Sequence, residues 1–367
     1  MKVLHIIKSL GRGGAEMLLQ ETLKHHNQSA FEFHYIYFLP WKNQMVEGIE
    51  QAGGKVINIP AKNNAVIMLQ VFKVIKYIKQ NKIELIHCHL PWAGFLGRLI
   101  HKITRIPVLY SEHNKQERYH KITGTINRLT FNSQSVAIAV SADVAESIHK
   151  NIHPRIPVQT ILNGVDTDRF KRNSTEGESI RKQYNIPSNA IVIGNIAVFR
   201  FQKRLKEWVD LFKTLADKNE QLYGCIIGDG PLNLEIRNHV KSLGLENRII
   251  MPGLQTNVLP WLSAIDIFLM TSEFEGLPIA LLEAMSMQCA VVCTDAGGIK
   301  EVIRNNEDGF LVPVSDWQSA AEPISKLISN PAEIINWGTK ARNRVKSAFS
   351  LAAMVEQTEK LYVSVLQ

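Results

Sequence analysis

The chain predicts an α/β protein of two doubly wound, Rossmann-like domains facing across a cleft. Strand-sized apolar runs alternate with helix-sized segments throughout, the pattern that gives parallel sheets covered by helices. The series breaks once, at the polar stretch 170–177, and then starts again. Several strand ends run straight into glycine-rich turns that open a helix, and such turns are where open α/β sheets bind ligands. A length of 367 residues, 45% apolar and 21% charged, is enough for two cores of ordinary size.

In chain order, strands are expected at 3–7, 33–38, 55–59, 85–88, 108–110, 136–140 and 158–162. Helical patterns fill most of the gaps, among them one helix at 65–80. Beyond the polar stretch, 179–184 reads as a short helix. Strands resume at 191–198, 223–227, 248–251, 265–270, 291–293 and 309–312. The domains are therefore placed at 1–170 and 171–350, with a last helix at 351–367.

Composition narrows the class. The four cysteines, Cys88, Cys225, Cys289 and Cys293, form no Cys-x-x-Cys motif, and three of them sit in apolar strands. That is the pattern of a reduced, cytoplasmic protein. The opening Met1-Lys2-Val3-Leu4-His5-Ile6-Ile7 reads as a strand rather than a signal peptide, and no apolar run reaches the length of a membrane span. The net charge of +8 is uneven. Residues 1–170 hold 21 Lys+Arg against 12 Asp+Glu; residues 171–367 hold 21 against 22. A first half this basic suits an anionic partner such as a membrane surface, a lipid-linked phosphate or an acidic glycan. Nucleic acid is not indicated, since no recognition motif is present. Within 65–82, Lys73, Lys76, Lys79 and Lys82 ride on an apolar helical pattern. That segment reads either as a crossover helix with a solvated lysine face or as a basic helix lying on anionic lipid.

Motifs mark the strand ends. Ser9 to Glu16 contains Gly11, Gly13 and Gly14 after the first strand, where backbone N–H groups can approach an anion. It is not the dinucleotide fingerprint Gly-x-Gly-x-x-Gly. Ser111-Glu112-His113-Asn114 ends the fifth strand. His87-Cys88-His89 would put two imidazoles on one face of a strand, but no third metal ligand is evident, so a packing or cleft role is expected. Asn163-Gly164-Val165-Asp166-Thr167-Asp168 contains Asp-x-Asp, expected to be a structural turn with no metal.

In the second domain, Arg200, Lys203 and Arg204 follow the first strand and could clamp a diphosphate. Gly228-Asp229-Gly230-Pro231 is a tight turn after the next strand. The densest run is Ser272 to Met285. Glu275 lies in a strand-to-helix turn with Gly276, Leu277 and Pro278, and Glu283 lies in the helix that follows. Eight helical residues would rise about 12 Å. A glycosidase pair needs carboxylates roughly 5–9.5 Å apart, so one glutamate at each end of an elongated ligand fits better. Gly297 and Gly298 form a second glycine-rich turn one unit downstream.

These motifs resemble family 4 retaining glycosyltransferases of the GT-B fold, whose Glu-x7-Glu pattern matches Glu275 and Glu283, over nearly the whole chain. The resemblance implies an N-terminal acceptor domain and a C-terminal nucleotide-sugar domain, with the last helix crossing back onto the first. It implies that Glu275 and His113 meet the donor sugar, and that Glu283 holds the ribose. Lys203 and Arg200 would stabilise the leaving diphosphate, with Arg204 a substitute. Gly13, Gly14, Gly276, Leu277, Pro278, Gly297 and Gly298 would line the donor. The sequence departs at Val198, where the family places an arginine, and at Gln288-Cys289-Ala290, where it shows Gly-x-Pro.

The expected activity is transfer of a hexosyl or N-acetylhexosaminyl group from a nucleotide-sugar to a glycan or lipid-linked acceptor. Surface polysaccharide, capsule or glycolipid assembly is its setting, in the cytoplasm or on the inner face of the membrane. No cofactor and no essential metal are expected. Two alternatives stay open: a nucleotide-sugar epimerase, which would consume donor without acceptor, and a non-catalytic polysaccharide-assembly subunit, which would bind donor weakly.

Overall fold

The computed structural model describes residues 1–11 and 13–367. The chain divides into two units, Met1–Asn163 with Leu351–Gln367, and Gly164–Ser350. In the first, β1 (Lys2–Ile7), β2 (Glu32–Tyr37), β3 (Lys55–Asn58), β4 (Leu85–His89), β5 (Val108–Glu112), β6 (Val136–Ala139) and β7 (Val158–Thr160) form one sheet. Its order is β3-β2-β1-β4-β5-β6-β7, parallel throughout. Helices cover such sheets on both faces, which explains why β4, β5 and β6 are buried along their whole length. The helix Leu351–Ser364 belongs to this unit and adds Leu361 and Tyr362 to its core.

The second unit repeats the plan. The strands β8 (Ile191–Ile196), β9 (Leu222–Ile227), β10 (Ile249–Gly253), β11 (Ile267–Met270), β12 (Ala290–Thr294) and β13 (Phe310–Val312) run in the order β10-β9-β8-β11-β12-β13. Trp208 fills the core beneath β8 and β11, stacked on Phe212, and its indole N–H finds the Leu269 carbonyl at 3.2 Å. In both sheets the strand order reverses once, between β1 and β4 and between β8 and β11. The carboxyl ends at those reversals are open to ligands.

Three details differ from the sequence reading. The expected helix 65–80 is two helices, Asn64–Leu69 and Val71–Asn81, parted at Gln70, whose backbone leaves the helical region. Asn63 caps the first by accepting the Val66 N–H at 3.0 Å. The short helix expected at 179–184 starts earlier and spans Ser174–Gln183, because the Asn173 side chain accepts the Glu176 N–H and nucleates it. The units part at 163/164 rather than 170/171. The Val165 N–H bonds the Phe349 carbonyl, and Arg342 binds the carbonyls of Thr167 and Phe170, so 164–170 belongs to the second unit.

Candidate active site

In the first unit, the reversal between β1 and β4 collects histidines. Parallel register sets His5 beside His87. The nitrogens of His5, His87 and His89 lie within 4.8 Å of one another. His5 is thus the third histidine that the His87/His89 pair was expected to lack; it is 82 positions away in sequence, and only the strand register brings it in. The three rings pack together, and two of them are hydrogen-bonded to each other. His5 Nδ1 pairs with His89 Nε2 at 2.9 Å, while His87 meets the Tyr362 hydroxyl at 2.7 Å and the Ser111 hydroxyl at 2.8 Å. Both nitrogens of His87 are thereby taken.

His113 follows β5 and joins the group, its ring 6.0 Å from that of His89. A cavity of ≈ 40 Å³ in this unit is lined by His5, His89, Ser111, His113 and Asn163, with the C-terminal helix contributing Thr358. His5 Nε2 and His113 Nε2 are buried there with no hydrogen-bond partner among the described residues. Burial holds the His113 imidazole down at about 4, so it is neutral at pH 7. Burial, and then the neighbouring rings, hold His5, His87 and His89 well below the ordinary histidine value. His113 does not cap the next helix; His120 does, accepting the Ile122 N–H. At the β1 end, Gly13 is the N-cap residue of the helix Gly14–His25, and a Cβ there would stand 2.3 Å from Glu16 Oε2. Asp166 accepts the N–H groups of Asp168 and Arg169 at 3.0 Å, a turn role for the Asp-x-Asp run.

In the second unit the sequence-selected residues cluster on four strand ends. Lys203, after β8, donates from Nζ to Glu275 Oε1 at 2.6 Å, and the Ser272 hydroxyl donates to the same oxygen at 2.7 Å. The loops bearing them are latched together. The Glu273 N–H bonds the Gln202 carbonyl, and the Thr271 hydroxyl bonds the Arg204 carbonyl at 2.8 Å. Pro278 is the N-cap of the helix Ile279–Ser286. Gly276 precedes buried Leu277, and Glu283 is 5% exposed, an unusual position for a glutamate. Gly297 has a positive φ of 61°, and Gly298 caps the short helix Ile299–Val302 after β12. Arg200 is exposed. Arg204 is committed elsewhere, to the Val314 carbonyl at 2.8 Å and to Glu207 and Glu273, and so is no ready substitute for Arg200. After β9, Gly228 has φ 129°, and a Cβ there would sit 1.9 Å from the Ala197 carbonyl oxygen. Only glycine lets that turn press on the loop that leads to Lys203.

Comparison with known proteins fits this geometry. A family model described as Glycosyltransferase Family 4 matches residues 12–169, and one described as Glycosyl transferases group 1 matches residues 176–344. The N-acetyl-alpha-D-glucosaminyl L-malate synthase of Bacillus anthracis is 33% identical over 244 residues, 65% of this chain and 62% of that protein, so the match spans less than two thirds of that relative's length. The UDP-Gal:alpha-D-GlcNAc-diphosphoundecaprenol alpha-1,3-galactosyltransferase of Escherichia coli is 22% identical over 82% of this chain and 80% of its own length. Among solved structures, Anabaena HepE in complex with UDP and glucose superposes with a TM-score of 0.89 at 21% identity, covering 99% of this chain and 100% of that one. Two parallel-sheet Rossmann-like units, together with these family matches, define a glycosyltransferase of the GT-B class. Within that class, the chain belongs to glycosyltransferase family 4.

Proposed function

We propose that this glycosyltransferase moves a hexosyl or N-acetylhexosaminyl group from a nucleotide-sugar to an acceptor hydroxyl with retention of configuration and without an essential metal. The observation that carries this is the Lys203–Glu275–Ser272 cluster at the ends of β8 and β11. An ammonium has three N–H bonds, and the one given to Glu275 leaves two for a diphosphate. As the glycosidic C–O bond breaks, its electron pair passes to the diphosphate, where Lys203 and Arg200 offset the growing charge. In the first unit, Gly13 and Gly14 offer backbone amides to an anion. The acceptor oxygen forms the new bond, and its proton passes to a phosphate oxygen on the leaving side. Glu275 and His113 orient the donor sugar, Glu283 takes the ribose hydroxyls, and Gly276, Leu277, Pro278, Gly297 and Gly298 shape the donor pocket.

The acceptor is lipid-linked, and the enzyme works peripherally on the inner face of the cytoplasmic membrane. The E. coli relative's name specifies a diphosphoundecaprenol acceptor. The surface of the first unit supports the same reading. The helices Asn64–Leu69, Val71–Asn81, Pro91–Thr104 and Lys121–Thr130 pack side by side, and none carries an Asp or Glu. Their outer sides expose Leu69, Phe72, Ile103, Ile122 and Leu129 among Lys73, Lys76, Lys79, Lys102, Lys121 and Arg128. Apolar anchors ringed by cations match an anionic bilayer surface. No helix of the described residues is long and apolar enough to cross a membrane.

The test is thermal stabilisation of the purified protein by UDP-, GDP- and ADP-sugars, with Glu283→Ala alongside. One nucleotide class should raise the melting temperature of the native chain and lose that effect in the variant. Stabilisation by none of them would point to the non-catalytic alternative, and conversion of the donor to its epimer in the absence of acceptor, with no nucleotide released, would point to an epimerase.

A further inference from the structure

The residue before His113 is a carboxylate with no access to water. Glu112, the last residue of β5, is 0% exposed. Burying a carboxylate is expensive unless every lone pair is met. Here four donors meet it. The Tyr110 hydroxyl reaches Oε2 at 3.0 Å and the Gln116 amide reaches the same oxygen at 2.8 Å. The Asn114 N–H reaches Oε1 at 3.2 Å, and the Tyr119 hydroxyl makes a short bond to that oxygen.

A counter-charge is supplied indirectly. Arg98, 1% exposed, donates to Asn127 Oδ1 at 2.7 Å; Asn127 donates to Gln116 Oε1 at 2.7 Å; and Gln116 donates to Glu112. Each amide therefore passes the polarity from cation to anion. The guanidinium also lies over Tyr110 and Phe131, 4.8 and 5.1 Å from the ring centroids. Three of the four donors to Glu112 come from 114–119, the loop that follows His113. A second clamp ties that loop down, with the Gln116 N–H on the Ser147 hydroxyl at 2.9 Å. An apolar residue would finish β5 at lower desolvation cost; the carboxylate instead selects one conformation of this loop.

We infer that Glu112 is a positioning residue for sugar transfer, whose carboxylate pins the Asn114 amide and the 114–119 loop so that the His113 ring is held in one orientation, with Arg98 as its remote counter-charge. This rests on the reading that His113 meets the donor sugar. His113 makes no hydrogen bond through Nε2, so its place beside His89 is set by packing and by the backbone on either side. On one side that backbone is β5, and on the other it is the amide pinned by Glu112.

The full chain tests this through two readouts, hydrolysis of the nucleotide-sugar that stabilises it most and the His113 Cε1–H resonance, assigned by comparison with His113→Ala. Glu112→Gln should lower kcat by about ten- to a hundredfold, the scale expected of a misplaced group, with donor KM unchanged and the His113 resonance shifted or broadened. Glu112→Asp, which keeps the charge, should recover part of the loss. Should Glu112→Gln fail to fold, Tyr119→Phe removes one donor at almost constant volume and should lower kcat and move the resonance in the same sense. A native kcat, or an unmoved resonance, in a folded Glu112 or Tyr119 variant would overturn the inference. If His113→Ala itself turned over normally, the His113 reading would fall. If His113→Ala were inactive while Glu112→Gln was normal, only the positioning role would fall.

Discussion

Lys203 and Glu275 stand 72 positions apart in sequence and 2.6 Å apart in space. If the ammonium meets charge that develops only as the donor bond breaks, Lys203→Ala should lower kcat by about 10²–10³-fold. Donor KM and melting temperature should change far less, since Lys203 is part-exposed and its neighbour Glu275 keeps the Ser272 hydroxyl. Steady-state kinetics with a thermal melt checks this, and a loss confined to KM would reassign Lys203 to ground-state binding. Why Glu275, Glu283, Lys203 and the glycines could be picked from sequence is plain. Each lies in a short run directly after a strand, where spacing and turn chemistry are local. His5 could not be picked, because its partners depend on the β1–β4 register. Glu112 stood in view beside His113, and its donors Tyr110, Asn114, Gln116 and Tyr119 are near in sequence. Nothing local shows that they turn onto it, however, and the relay through Asn127 to Arg98 draws on two further segments. A lone glutamate at a strand end carries no mark of burial.

Among the elements, the strands were the easiest to find, because the central ones are apolar runs buried on both faces and little else in the chain looks alike. The helices were harder. Nothing in the apolar spacing of 64–81 marks the break at Gln70, and the polar stretch that suggested a linker after 170 hides a capped helix from Ser174. That break bears on the membrane reading, because it sets Leu69 and Phe72, each 75% exposed, next to the lysine-bearing turns that follow. On the membrane reading, Phe72→Asp with Lys76→Glu should abolish flotation of the full chain with vesicles of mixed phosphatidylcholine and phosphatidylglycerol. Both side chains point away from the core, so the melting temperature should hold within the usual range for surface changes. Undiminished flotation of the double variant would remove this face from the reading.

At the scale of the whole molecule, the two units differ most in their histidines. His5, His26, His87, His89 and His113 all lie in the first unit, each held below its ordinary value chiefly by burial. The second unit has His239 alone. In the unfolded chain these rings take up protons near pH 6.5, whereas folded they stay neutral to lower pH. The unfolded state therefore binds more protons as the solution acidifies. Their contribution to stability is complete above about pH 6.5 and drains away as the pH falls towards each ring's lowered folded value, about 4 for His113, by up to about 1.4 kcal/mol per pH unit for each ring. Calorimetry from pH 7.5 to 5.0 should show the first unit's transition moving down well ahead of the second. A melting profile flat across that range would mean that the rings protonate within the native fold.

The helix 351–364 gives the chain an unusual order of assembly. Residues 1–163 are translated before residues 164–350, yet their unit lacks Leu361 and the Tyr362 hydroxyl bonded to His87 until every residue of the second unit has been made. Domains commonly fold in the order in which they leave the ribosome. Here residues 164–350 form a continuous stretch with its own core and can close first, while 1–163 wait, their histidine layer lacking the Tyr362 hydroxyl. A nascent chain halted before Leu351 would therefore carry a first unit without the helix that completes its core.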